Sequence, residues 1–262
     1  MVGPAQFTVK DVKLGSRISN LHLVLSQEQP NGQRQEEVVG YITMSNIASE
    51  SGISIDTSYK PYPPRLPVDL GALARNGQDE NWSVRSADPF AHFRRAAQNL
   101  QMFLVKPSRR PANMPKSVGD QWVRFAPGRQ PTGRWTNDAL GFLVDMFPQL
   151  IEQYVNPVAE EAALGSSKID EAEVKKAMSE PRAKYWYPTL SLNLDAKKLL
   201  PDEGVEWLFV RVKAKAIRNG RFDLDVEVWD EQDELVAISS HASLAVDSAR
   251  NTTRNAKKDS KI

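Results

Sequence analysis

The most regular signal in the chain is an alternation of apolar and polar positions that occurs twice. Near the start, Phe7, Val9, Val12 and Leu14 lead into Ile18, Leu21, Leu23 and Leu25, and then into Val38-Val39-Gly40-Tyr41-Ile42-Thr43-Met44. Near the end, residues 205–214, 220–229 and 235–244 repeat the arrangement. A period of two residues predicts strands with one buried face, and each set of three reads as an antiparallel meander. Gln29-Pro30-Asn31-Gly32 supplies a turn between the second and third strands of the first set. Two such meanders predict a duplicated β-rich module.

Between the two sets the period changes. Ala139, Leu140, Leu143, Met146, Phe147, Leu150, Ile151 and Tyr154 recur at helical spacing, predicting a helix from about Thr136 to Tyr154. Thr136 or Asn137 can cap it, and Pro148 should kink it because a proline has no N–H for the Val144 carbonyl. A strand at 121–125 precedes this helix, and clean alternation from Thr189 to Leu194 follows it. The second module thus reads as strand, helix and four strands, over residues 118–248. Residues 1–50 form the first, partial module. Residues 51–117, rich in proline, read as a linker with a short helix from Pro89 to Phe103, and residues 249–262 as a basic tail. Glu171–Met178 reads as a solvated excursion inside a charged insert.

Composition removes several classes of function. A net charge of +1 gives no field for nucleic acid or an anionic membrane. The absence of cysteine excludes disulfides, thiolate nucleophiles and cysteine-ligated zinc, and fits an intracellular protein. The three histidines, at 22, 92 and 241, are too scattered to suggest a metal site. No apolar run approaches the ~20 residues of a membrane span, and the N-terminus shows no basic-then-apolar signal pattern. Ser260-Lys261-Ile262 is one apolar exchange from the Ser-Lys-Leu peroxisomal address and otherwise a solvated tail, so the expected compartment is cytoplasmic or peroxisomal.

Three strings carry a resemblance. Leu140-Gly141-Phe142-Leu143-Val144-Asp145 lies in the helix, Pro188-Thr189-Leu190-Ser191 opens the next strand, and Val236-Ala237-Ile238-Ser239-Ser240-His241 lies in the last. Their order and spacing resemble the double-hotdog acyl-CoA thioesterases of the thioesterase II type and their fungal thioesterase-like relatives. The likeness covers residues 118–248 well and 5–47 more loosely. It implies an α+β fold, a tandem hotdog in which an antiparallel sheet wraps a central helix. It also implies hydrolysis of an acyl-CoA or acyl-carrier thioester, with no cofactor. In that family a helix Asp, a strand Thr and a Gln on the last strand position a water. Asp145 and Thr189 take the first two places; His241 stands where the family has Gln, a departure, because a His can hold a proton near neutral pH.

The chemistry needs no covalent nucleophile if water is held about 3 Å from the carbonyl and loses its proton on attack. Asp145 can serve as the base, better if buried; Thr189 can orient the water; backbone N–H groups near residues 133–137 could stabilise the oxyanion. Gly141 would let substrate approach the helix closely, and Arg134, with Arg124 and Arg129, could meet CoA phosphates. Each residue also has a plainer reading. Asp145 falls opposite the apolar stripe as a solvated carboxylate would. Thr189 is a good strand former, His241 reads equally as a structural histidine, and the arginines as a solvated run.

On the sequence given, the first meander follows directly on Met1 and has no central helix of its own. Two outcomes are expected: either residues 7–44 pack on the second module and a partner chain covers the bare face, as in a homo-oligomer, or the chain is a truncated product with compromised folding. Two alternatives to hydrolysis stay open: a non-catalytic hotdog that binds acyl groups, and a lyase or dehydratase on a carrier-bound intermediate.

Overall fold

The computed structural model describes residues 3–85, 95–146, 150–155 and 185–247. The chain divides into two compact units, residues 1–56 and 57–262. Pro148, the Glu171–Met178 segment and the tail with Ser260, Lys261 and Ile262 lie outside the described residues, as do residues 89–94 of the expected linker helix.

The first unit is a three-stranded antiparallel sheet of β1 (Gln6–Lys13), β2 (Ile18–Glu28) and β3 (Arg34–Ser45), in that order. The turn joining β2 to β3 closes as the sequence suggests: Gly32 N–H donates to the Gln29 carbonyl, and Asn31 Oδ1 accepts from the Gln33 N–H.

The second unit holds, in chain order, α1 (Leu70–Asn76), β4 (Trp82–Val84), β5 (Leu100–Val105), β6 (Val118–Phe125), α2 (Leu140–Val144), α3 (Glu152–Val155), β7 (Tyr185–Trp186), β8 (Thr189–Ala196), β9 (Trp207–Lys213), β10 (Ile217–Arg218), β11 (Arg221–Trp229), β12 (Leu235–Leu244) and β13 (Val246–Asp247). Its main sheet runs β4-β5-β6-β9-β11-β12-β8, all neighbours antiparallel, with β10 paired to β11. The strand after the helix, β8, therefore lies beyond β12 at the far edge.

The central strand β9 is buried on both faces, which is why it reads as an almost unbroken hydrophobic run rather than an alternation. Leu208, Val210 and Val212 join one core with Leu140, Leu143 and Val144 of α2. Trp207 and Phe209 point the other way, into a second core with Trp82, Phe103, Trp122, Trp229 and Leu73 of α1. Helix α1 is closed at both ends: Asp69 Oδ1 accepts the Ala72 N–H, and Gly77, at φ 71°, returns its N–H to the Leu73 carbonyl.

A strap of residues 57–69 crosses this second face. The Tyr59 ring stacks on Trp229 and its hydroxyl donates to Glu227 at 2.7 Å; Arg65 lies over Trp122 and Phe209 and pairs with Asp233. Beneath the strap, Arg211 makes a two-pronged pair with Asp120 and donates a third bond to the Pro63 carbonyl.

Two sequence expectations change here. Residues 51–117 are not a linker: they supply the strap, α1, β4 and β5. The expected helix ending at Phe103 gives way to a 3-10 turn at Arg95–Asn99 and then strand β5. Leu100, Met102 and Leu104 fill one core while Phe103 and Val105 fill the other. A short apolar run buried on both sides looks alike in either period. The long helix is also shorter than its stripe. A 3-10 turn at Asn137–Ala139 leads into α2, which stops at Val144, the residue whose carbonyl would have needed an N–H from Pro148. Thr136 occupies the N-cap place without a side-chain bond, and Asn137 instead clamps Leu200, accepting its N–H at 2.9 Å and donating to its carbonyl at 3.1 Å.

Candidate active site

Asp145 caps the C-terminal end of α2, and its carboxylate keeps 44% of its side-chain surface open. Its neighbour is pinned from the sheet: buried Gln121 of β6 donates to the Met146 carbonyl at 3.0 Å. Thr189 Oγ1 donates to Asp145 Oδ1 at 3.1 Å, and His241 Nδ1 lies 4.0 Å from the same oxygen. The structure thus brings together the side chains of the three residues expected to be catalytic.

Thr189 reaches this position through an irregularity. In the β8–β12 ladder Ala242 faces Ser191 and Ser243 faces Thr189, leaving Leu190 as an extra residue. Strict alternation would put Thr189 on the face of Ser191 and Asn193, away from Asp145. The bulge re-aims it. His241 sits between Leu224 of β11 and Leu192 of β8 on the face that meets α2. It is buried, and this burial holds the imidazole below its ordinary value of 6.5, partly offset by the Asp145 charge. At neutral pH the ring is therefore uncharged.

Two further side chains on this face escaped the sequence reading. Ser239 Oγ lies 2.9 Å from His241 Nε2 and donates to the Asn193 carbonyl at 2.6 Å. The Ser243 hydroxyl, buried and opposite Thr189, has no hydrogen-bond partner among the described residues. Both were legible only as strand positions two residues either side of His241, which share its face.

Arg134 is held by backbone carbonyls. It donates to the Glu203 carbonyl at 2.8 Å and to the Gly204 carbonyl at 3.1 and 2.8 Å, tying the approach to α2 onto the loop before β9. Gly204 accepts that closeness because it sits at φ 72°, with the Trp135 carbonyl only 2.7 Å from where a Cβ would be. Arg124 is likewise engaged, with Glu206 at 2.5 Å, and Arg129 donates to Gln98. Of the backbone N–H groups at residues 133–137 expected to stabilise an oxyanion, that of Trp135 is already given to the Val205 carbonyl.

Among the described residues, nothing lies within 4 Å of a Cβ added at Gly141. The Gly141→Ala variant is expected to gain roughly 0.5–1 kcal/mol of stability through helix propensity alone, read from the urea midpoint. A rise in KM in the same variant would place substrate against this face.

The family model for the acyl-CoA thioesterase C-terminal domain matches residues 70–245. A thioesterase-like protein, TwmA, of Talaromyces wortmannii is 36% identical over 265 residues, covering 95% of this chain and 74% of its own length. Among solved structures, a protein of Thermobifida fusca assigned as a thioesterase II superposes with a TM-score of 0.57 at 17% identity, over 93% of this chain and 73% of that one. A hot dog fold protein of unknown function from Alicyclobacillus acidocaldarius gives 0.55 at 14%, over 92% and 72%. At such identities the structural likeness speaks for the fold alone. By its fold and its family match, this chain has a hotdog architecture and belongs to the acyl-CoA thioesterase C-terminal domain family.

Proposed function

We propose that this protein hydrolyses an acyl thioester, carried on CoA or on a carrier protein, with a water held by Asp145, Thr189 and His241. The observation that carries the reading is the convergence of a carboxylate, a hydroxyl and an uncharged imidazole from three separate elements onto one oxygen, Asp145 Oδ1. Membership of a thioesterase family gives the substrate class.

In this mechanism Asp145 takes a proton from the water as the water oxygen attacks the thioester carbonyl carbon. The tetrahedral intermediate collapses, breaking the carbon–sulfur bond, and the departing thiolate recovers the proton. The products are a carboxylic acid and a free thiol, and no covalent enzyme intermediate forms. Thr189 fixes the carboxylate that accepts the proton. His241, 4.0 Å away, stands at a separation that a single water can bridge with a hydrogen bond to each side.

Release of free thiol from a panel of acyl-CoAs and an acyl carrier protein tests the proposal. Turnover on at least one member is expected; its absence across the whole panel overturns the reading. The pH profile is a second check. Protonation would turn Nδ1 into a donor to Asp145, whose charge acts on this ring, and engage the base. Burial delays that event, so kcat/KM is expected to hold down to pH values below 6.5 and then fall as His241 titrates. The His241→Gln variant, with nothing to protonate at that place, is expected to keep its remaining activity to lower pH than the parent.

A further inference from the structure

We propose that Ser239 is a positioning residue that selects the tautomer of His241, holding the proton on Nε2 and leaving Nδ1 as an acceptor toward Asp145. The inference rests on the reading of Asp145 and His241 as the groups that hold the attacking water.

A serine hydroxyl has one proton to give. The Ser239 Oγ lies 2.6 Å from the Asn193 carbonyl oxygen, which can only accept, so that proton is committed there. The same Oγ lies 2.9 Å from His241 Nε2. With its proton spent, the hydroxyl can make this second bond only as an acceptor, and the ring must donate. A neutral imidazole carries one N–H, so Nδ1 is unprotonated. The arrangement is enclosed: Ser239 is 6% and His241 4% exposed, and both lie on the same face of β12. Asn193 belongs to the adjacent strand β8, so the direction of the Ser239 hydroxyl is set by the sheet itself.

The consequence is at the other nitrogen. Nδ1 and Asp145 Oδ1, 4.0 Å apart, are then two acceptors facing each other. A water between them donates both of its protons, one to each, and its lone pairs are left for the thioester carbon. In the opposite tautomer Nδ1–H would donate to the carboxylate and compete with the water for it.

Long-range 15N–1H correlation spectra of the imidazoles separate a protonated from an unprotonated ring nitrogen, and the His241→Gln variant assigns the signal among the three histidines. The parent protein is expected to show His241 protonated at Nε2. Ser239→Ala is expected to move the ring toward the Nδ1–H form and to lower kcat roughly tenfold, the worth of one hydrogen bond, with KM unchanged. Ser239→Thr, which keeps the hydroxyl, is expected to restore both. A parent ring protonated at Nδ1, or a Ser239→Ala ring that keeps the parent tautomer, overturns the proposal. The spectra need no substrate, so this result is decided separately from whether any acyl-CoA is cleaved.

Discussion

Asp145→Asn is expected to lower kcat by about 10²–10⁴-fold, the range set by loss of a positioned general base, while KM and thermal stability stay close to those of the parent. The exchange is isosteric. The amide oxygen can still accept the 3.1 Å bond from Thr189 and remains the atom facing His241 Nδ1, so the three side chains keep their places. What is lost is the ability to take a proton from water. The residue is partly open to solvent at the end of a helix, so its replacement leaves no buried group unsatisfied and the fold has little reason to respond. Steady-state release of free thiol, alongside a thermal melt, reads both halves of the expectation. Equal turnover in the two proteins would remove Asp145 from the mechanism and leave the convergence of side chains as a structural feature.

The second large effect is on stability and lies on the opposite face of the sheet. Arg211→Met is expected to destabilise the protein by about 3–5 kcal/mol, a large share of the roughly 5–15 kcal/mol that holds a typical domain together. The Arg211 side chain is 0% exposed and that of Asp120 3%. The guanidinium donates from Nε and Nη2 to the two carboxylate oxygens, each at 2.7 Å, and from Nη1 to the Pro63 carbonyl at 2.5 Å. Methionine fills much the same volume but leaves Asp120 as a buried charge with its two-pronged partner gone. The double variant Asp120→Leu with Arg211→Met removes both charges and is expected to recover most of the loss, because two well-packed apolar side chains do about as well as a buried pair. Urea midpoints of the parent, the two single variants and the double variant close the cycle. A double variant as unstable as Arg211→Met would place the cost in the lost Pro63 bond and the packing instead of the stranded carboxylate.

The sequence made some of this plain and hid the rest for identifiable reasons. Strands β8, β11 and β12 were legible from their two-residue period, and β9 from a short apolar run. The helix carrying Asp145 was legible from its stripe, yet its end was not: the apolar spacing runs on past Val144, whereas the backbone stops there for want of an N–H at Pro148. Residues 57–105 were misread because their prolines suggested a linker, whereas Trp82, Leu100 and Phe103 occupy strands whose partners lie far along the chain. At the candidate site, the order of Asp145, Thr189 and His241 pointed to three separate elements. Their approach depends on one residue of excess length at Leu190, which no periodicity announces. The partner of His241 on its far side, Ser239, was invisible because a serine in a strand is commonplace until the direction of its proton is known.

The strap over the tryptophan-rich face sets a limit on assembly. With Pro61 and Pro63 buried and Arg65 laid across two aromatic rings, that side of the second unit is already occupied by its own polypeptide. A second molecule could not stack broadside there without first peeling the strap away, at the cost of the Tyr59, Arg65 and Arg211 contacts together. A rim such as β8, which among the described residues pairs with β12 alone, carries no such covering strap.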